Sequence, residues 1–193
     1  MKPIRTAFAA AAAAALLAGC QSVPSDVLRA TASLEPTRGS SVSGAVDFVQ
    51  VGDKVRVSAN VRGLKPNGEF GFHIHEVGDC SSGDGMSAKG HFNPYGKPHA
   101  HAGVAERHAG DLPSLKSNGA GNATLSTDLD IITVSPGPAS IVGRGLIVHV
   151  QPDDFRTQPT GNAGARSACA VIRRIQSAPA PSSAVPASAL RAA

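Results

Sequence analysis

The sequence is organised around one short stretch, Gly71-Phe72-His73-Ile74-His75-Glu76. It alternates apolar and imidazole side chains, as an extended segment does. Side chains two positions apart on a strand point to the same face, so His73 and His75 can reach one point in space. The pattern predicts a β-strand carrying paired imidazoles, a feature that is compatible with several metals.

Around this stretch the sequence predicts an all-β fold. Short runs that partly alternate apolar and polar residues are separated by turn residues such as Val51-Gly52-Asp53. No helical pattern intervenes, which is typical of a sandwich or barrel. Two Gly/Pro-rich stretches, 77–118 and 151–164, are long enough to predict functional loops. The predicted strands are 30–35, 41–50, 54–62, 68–75, 121–129, 145–150 and 165–173.

Length and charge narrow the class of protein. The 193 residues leave room for one domain of roughly 150 residues with an extension at each end. Of 18 basic residues five lie at the two ends, which leaves 13 against 14 acidic residues in the remainder. A nucleic-acid-binding protein would need a basic stripe with interleaved aromatic residues, and the sequence has neither.

The two ends do not resemble the middle. Lys2 and Arg5 precede an apolar run, residues 7–18, that is too short to cross a bilayer and is typical of an export signal. The run ends in Leu17-Ala18-Gly19-Cys20, which resembles the bacterial lipobox and implies lipidation of Cys20; an ordinary signal peptide is the alternative. Residues 176–193 are almost entirely Ala, Pro and Ser, which predicts a disordered tail.

Two cysteines remain, Cys80 at the start of the first long loop and Cys169 in the last predicted strand. In an exported protein the default is a disulfide between them, with two free thiols as the alternative. Such a bond would tie the histidine-rich loop to the sandwich.

All seven histidines lie between positions 73 and 149. Any one of them could be an ordinary surface or core histidine, but the group indicates metal binding. Four-coordinate sites of imidazole and carboxylate suit Zn²⁺, and an all-imidazole site suits copper. Spacing suggests a copper set and a zinc set that share His91 through its two ring nitrogens: His73, His75, His91 and His149 for copper; His91, His99, His108 and Asp111 for zinc.

From about residue 30 to residue 172, the sequence resembles the copper/zinc superoxide dismutase family, in its exported bacterial branch. The pieces that carry the resemblance are Gly71-Phe-His-Ile-His-Glu-Val-Gly-Asp79, Gly90-His-Phe-Asn-Pro94, Glu106-Arg-His-Ala-Gly-Asp-Leu112, Gly145-Leu-Ile-Val-His149 and Gly161-Asn-Ala-Gly-Ala-Arg166. The resemblance implies a Greek-key, immunoglobulin-like β-sandwich or flattened barrel of about eight antiparallel strands.

Position by position, the resemblance implies the same copper and zinc ligands that spacing suggests. It also implies a Cys80–Cys169 disulfide, an anion-guiding role for Arg166, and a carboxylate, Asp153, that links His73 to His99. His101 matches no role in the family and is expected to be a solvent-exposed loop histidine.

The implied activity is dismutation of superoxide to dioxygen and hydrogen peroxide, with one copper and one zinc per chain and with His91 and Arg166 in the catalytic machinery. A non-catalytic copper or zinc carrier with the same fold is the alternative. The expected organisation is a lipoprotein signal peptide (1–19), a lipidated tether (20–29), the enzyme domain (30–174) and the tail (175–193). The expected location is the bacterial cell envelope, as a periplasmic or surface lipoprotein anchored in the outer membrane, and a homodimer is compatible with the resemblance.

Overall fold

The computed structural model describes residues 27–175, which form an all-β fold with a single short 3-10 helix at Met86–Ala88. The predicted signal peptide, Cys20, nearly all of the predicted tether and nearly all of the predicted tail lie outside the described residues. Among residues 27–175, no helix has the length and apolar character needed to cross a membrane. The ten strands are β1 (Arg29–Pro36), β2 (Ser43–Val51), β3 (Lys54–Arg62), β4 (Glu69–Phe70), β5 (Phe72–His75), β6 (Leu115–Lys116), β7 (Ala123–Leu129), β8 (Gly145–His149), β9 (Arg166–Val171) and β10 (Arg173–Ile175).

Eight strands form one antiparallel sheet, in the order β5-β8-β9-β1-β2-β3-β7, with β10 beside β1. Strand β1 joins the two halves of the sheet, because its residues Arg29 to Leu34 pair with β2 while Glu35 and Pro36 pair with β9. Neighbours such as β3 and β7 are distant in sequence, as Greek-key connections require. The predicted fold class is confirmed.

The core follows from alternation along the strands. In β3 every second side chain is buried, and these are Val55, Val57, Ala59 and Val61. β-Branched side chains suit a pleated surface with one buried face. Each fully buried valine contributes about 1.5–3 kcal/mol. Together with Phe48, Phe72 and the aliphatic residues of β1, β7 and β8, they form one continuous cluster.

The seven predicted strand regions all contain strands, with two differences. The predicted strand 68–75 is broken at Gly71 into β4 and β5. Strands β6 and β10 are not predicted as separate strands, because strands of two or three residues carry no periodicity. A Cβ on Gly71 would stand 2.7 Å from the Cβ of Ala163, so a close approach of the second loop requires glycine there.

All four residues of β5 are buried, which differs from a strand with one solvated face. Phe72 and Ile74 belong to the hydrophobic core, whereas His73 and His75 lie beneath the two long loops. The first loop is tied to β9 by the predicted disulfide, Cys80–Cys169, which is confirmed with an S–S distance of 2.06 Å. Closing a loop of 89 residues stabilises the fold by about 4–5 kcal/mol in the chain-entropy model.

Candidate metal centre

Strands β5 and β8 place three histidines side by side. The two strands pair antiparallel with Phe72 opposite Val148 and His75 opposite Gly145, so His149 at the end of β8 lies beside the start of β5. A register shift between Val148 and His149 re-aims the last side chain of β8, as β-bulges commonly do. The loop supplies a fourth histidine, because His91 forms an isolated bridge with His75.

Four ring nitrogens converge without a hydrogen-bond partner. They are buried and lie within 4.8 Å of one another: His73 Nδ1, His75 Nε2, His91 Nε2 and His149 Nε2. Leaving several buried polar atoms unsatisfied costs about 1–3 kcal/mol for each atom, so a native structure rarely does so without a reason. A metal ion at their centre would satisfy all four, and an all-imidazole set of this kind suits copper.

The opposite nitrogen of each strand histidine fixes which atom carries the lone pair. His75 Nδ1 donates to the Lys89 carbonyl at 2.7 Å, and His149 Nδ1 donates to the Gly164 carbonyl at 3.1 Å. His73 Nε2 donates to Asp153 Oδ2 at 2.7 Å. Each bond leaves the converging nitrogen unprotonated and turned towards the common centre.

Burial also keeps these rings neutral. It lowers the pKa of His149 to about 3 and the pKa of His91 to about 4, and it lowers the pKa of His75 well below its usual value. Neighbouring imidazoles add to the effect, because charge on one ring opposes charge on the next. At pH 7 the lone pairs of this set are therefore available to a metal.

A second cluster surrounds the carboxylate of Asp111. Its Oδ1 atom lies 3.1 Å from His91 Nδ1, 2.9 Å from His99 Nδ1 and 3.5 Å from His108 Nδ1. Tetrahedral ligands about 2.0–2.1 Å from Zn²⁺ stand about 3.3 Å apart, so these separations fit a zinc ion. All four residues are buried.

The electrostatics of the second cluster differ from those of the first. Burial alone would raise the pKa of Asp111, but hydrogen bonds from His108, His91 and His99 lower it well below the usual value. Burial disfavours a charged His99 ring, but hydrogen bonds to Asp111 and Asp153 outweigh it and raise the pKa of His99 to about 9. His99 therefore holds a proton at pH 7, which the rings of the first cluster do not.

Asp153 links the two clusters. Its Oδ2 accepts from His73 Nε2 at 2.7 Å, and its Oδ1 accepts from His99 Nε2 at 2.9 Å. Gly161 covers this pair, with a φ of 65° and a Cβ position only 1.8 Å from Asp153 Oδ1 and 2.5 Å from His99 Nε2. Sequence reasoning gave Gly161 no role of its own, although it begins one of the quoted motifs.

Arg166 lies beside the first cluster, the set of four imidazoles, because it pairs with His149 across β8 and β9. Its half-buried guanidinium donates to the carbonyls of Gly85 and Lys89. The Lys89 carbonyl also accepts from His75, so one backbone atom positions both the cation and a ring of the cluster. His101 lies outside both clusters and is exposed.

The fold and site together define a class: an all-β protein with an imidazole cluster and a mixed imidazole–carboxylate cluster that share one histidine. Residues 42–172 match the family model described as copper/zinc superoxide dismutase (SODC). The chain belongs to this family.

Named relatives agree with the family model. The chain is 40% identical over 150 residues to "Superoxide dismutase [Cu-Zn] 2" of Aquifex aeolicus, covering 76% of this chain and 87% of the relative. It is 41% identical over 137 residues to "Superoxide dismutase [Cu-Zn]" of Paramecium bursaria Chlorella virus 1, covering 68% and 72%. The crystal structure of the clock protein EA4 is similar in fold, with a TM-score of 0.70 and 39% identity over 76% of this chain and 94% of that one.

Proposed function

We propose that the chain is a superoxide dismutase that uses one copper and one zinc ion to convert two superoxide anions and two protons into dioxygen and hydrogen peroxide. The observation that carries the proposal is the position of His91. Its Nε2 belongs to the unsatisfied imidazole set, and its Nδ1 faces Asp111 in the second set. A ring shared in this way would hold a redox metal on one nitrogen and a second cation on the other.

Copper, when bound, supplies the one-electron redox change, and zinc supplies a constant charge that orients and polarises the shared ring. The chain's own residues do the rest. His73, His75 and His149 are held by strand pairing and by fixed acceptors, so their lone pairs stay aimed at one point. His91 Nε2 is the atom at which the chain can hold a proton for the forming peroxide, because its Nδ1 is engaged by the second cluster.

Arg166 gives the site a permanent positive charge. Its guanidinium is anchored by two backbone carbonyls, so the charge stays at one place beside the imidazole set. A fixed cation at the mouth of a partly desolvated site attracts a small anion and raises the rate of encounter. This supports a guiding role for Arg166.

Metal analysis combined with an activity assay tests the proposal. The purified protein is expected to hold one copper and one zinc per chain and to inhibit dye reduction driven by superoxide. Full metal content without inhibition would contradict it and would support the non-catalytic carrier instead. The described residues offer no observation that favours the carrier, since both ligand sets and Arg166 are in place.

For the segment before the described residues, we infer that Cys20 carries a lipid that holds the domain at a bacterial membrane. The support is the charged start, the short apolar run and the Leu17-Ala18-Gly19-Cys20 motif. More than one acyl chain gives stable anchoring. Full-length protein should sediment with membranes, and the Cys20→Ser variant should be released; equal partition of the two would contradict the anchor.

A further inference from the structure

His99 is a buried ligand without a strand to hold it. It lies in the first long loop, outside every strand and helix, yet only 2% of its surface is exposed. Its two ring nitrogens must face Asp111 on one side and Asp153 on the other. A ring with two fixed partners needs a fixed backbone, and the surrounding loop offers no ladder of hydrogen bonds to provide one.

The backbone of His99 is held instead by one side chain from the second loop. The Gln158 amide accepts from the His99 N–H through Oε1 at 2.8 Å and donates to the His99 carbonyl through Nε2 at 2.8 Å. The two bonds reproduce the pair that a neighbouring strand would make with one residue. Gln158 lies 59 residues away in sequence, and the contact joins the two loops directly at the ligand.

The base from which Gln158 projects is itself fixed. The Asp154 carboxylate accepts from the N–H groups of Arg156 and Thr157 at 2.9 and 2.8 Å, and from the Thr157 hydroxyl at 2.6 Å. The Asp154 N–H donates to the Gly161 carbonyl at 2.9 Å. This closed turn presents the Gln158 amide in one orientation, so it can act as a positioning group.

A second contact joins the two loops two residues beyond the ligand. The rings of His101 and Phe155 meet edge to face with centroids 4.8 Å apart. Phe155 has a φ of 56°, a left-handed conformation that is rare for a bulky side chain. Its N–H donates to Asp153 Oδ1 at 2.7 Å. The segment from Phe155 to Gln158 therefore contacts His99, the nearby His101 and the carboxylate that His99 binds.

We propose that Gln158 is a positioning residue for His99 and thereby controls how firmly the zinc cluster keeps its metal. The proposal rests on the assignment of His99 to zinc. Partners of metal ligands typically change metal affinity by about 10–100-fold when they are removed. The strand histidines of the imidazole set make no hydrogen bond to Gln158, because they are held by β5, β8 and their own acceptors on Lys89, Gly164 and Asp153. The effect should therefore fall on zinc and spare copper.

The test compares metal loss from full-length protein loaded with copper and zinc. Gln158→Ala removes both bonds, and Gln158→Glu keeps an acceptor for the N–H but sets a carboxylate oxygen against the His99 carbonyl. Gln151→Ala is the matched control, since that side chain takes part in no hydrogen bond among residues 27–175. The rate of zinc transfer to the dye 4-(2-pyridylazo)resorcinol should rise about tenfold in both Gln158 variants, while copper retention and the control stay unchanged.

A spectroscopic measurement separates positioning from general loosening. With Co²⁺ in place of zinc, the visible ligand-field bands report ligand geometry, and they should shift or broaden in Gln158→Ala but not in Gln151→Ala. Zinc loss from Gln158→Ala at the wild-type rate would overturn the inference and leave the proposed function standing. Equal acceleration of copper and zinc loss would also overturn it. A wild-type protein that holds no zinc would instead contradict the proposed function itself.

Discussion

The two halves of the metal centre are built in different ways. The imidazole set takes three of its four members from β5 and β8, inside a hydrogen-bonded sheet. The set around Asp111 takes all its members from a loop and is held by a carboxylate, a disulfide and the Gln158 amide. Rings in the first set are neutral at pH 7, whereas His99 in the second has its pKa raised to about 9. The sheet makes the imidazole set rigid, and the loop gives the second set its charge.

Removing one ligand from each half should have the largest effect, because each variant should lose one metal and keep the other. His149→Ala is expected to abolish copper retention and lower activity by several orders of magnitude while zinc stays bound, because His149 belongs to one set only. His108→Ala should release zinc and leave copper in place, with a smaller loss of activity. Metal analysis and dye-reduction assays on both variants check this. Loss of both metals from either variant would show that the halves are not separable.

A substitution at Gly161 should affect both halves together. A Cβ there would overlap Asp153 Oδ1 at 1.8 Å, so Gly161→Ala must displace the carboxylate that holds His73 and His99. Affinity for both metals should fall by about 10–100-fold, as measured by chelator competition. Gly52→Ala is the control, because it has a similar φ of 61° but open space around its Cβ position. Equal effects of the two substitutions would point to backbone strain rather than to Asp153.

Reversing the charge of Arg166 should change the reaction chiefly through electrostatics, because Arg166 is not a member of either ligand set. Arg166→Glu is expected to slow turnover about tenfold at low salt and to weaken its dependence on ionic strength, because the attractive charge becomes repulsive. Stopped-flow decay of superoxide over a salt series measures both. Arg56→Glu, on the outer face of β3, makes the same charge change away from the site and serves as the control. An unchanged rate in Arg166→Glu at low salt would exclude guidance.

The smallest expected difference between the halves is in the number of protons released when each metal binds. Below pH 9 the metal-free His99 ring carries a proton that zinc must displace, so zinc affinity should rise with pH up to about 9, by at most about tenfold for each pH unit. His149, with a pKa of about 3, has no proton to release at pH 6–8, so copper affinity should stay flat. Calorimetry in buffers of different ionisation enthalpy measures the released proton, with His149→Ala used for zinc and His108→Ala for copper. Equal proton release in both would contradict the difference.

Much of the fold could be predicted because the signal is local. Alternation in 54–62 predicts β3 with the bounds that the structure shows, and the spacing of His73 and His75 predicts that they share a face. Strands β6 and β10 could not be predicted, because they form only through pairing with distant partners. The disulfide followed from compartment and count, and it is confirmed.

The supporting contacts of the site could not be predicted in the same way. The Lys89 carbonyl, Gln158 and Gly161 act through atoms that only the folded loops bring together. None of the three is a residue type that a search for copper or zinc ligands would select. The division into a copper set and a zinc set followed from spacing and from the family resemblance. The structure brings the same residues together, and the assignment of each metal stays a prediction.

The shared ring of His91 is the central claim, and magnetic coupling tests it most directly. Full-length protein is loaded with Cu²⁺ in the imidazole set and either Zn²⁺ or Co²⁺ in the second set, and the Cu²⁺ electron paramagnetic resonance signal is recorded. If one imidazolate bridges the metals, the unpaired electrons of Co²⁺ should couple to Cu²⁺ and largely remove the signal seen with zinc. A Cu²⁺ signal of the same shape and intensity in both forms would show that His91 does not serve both metals.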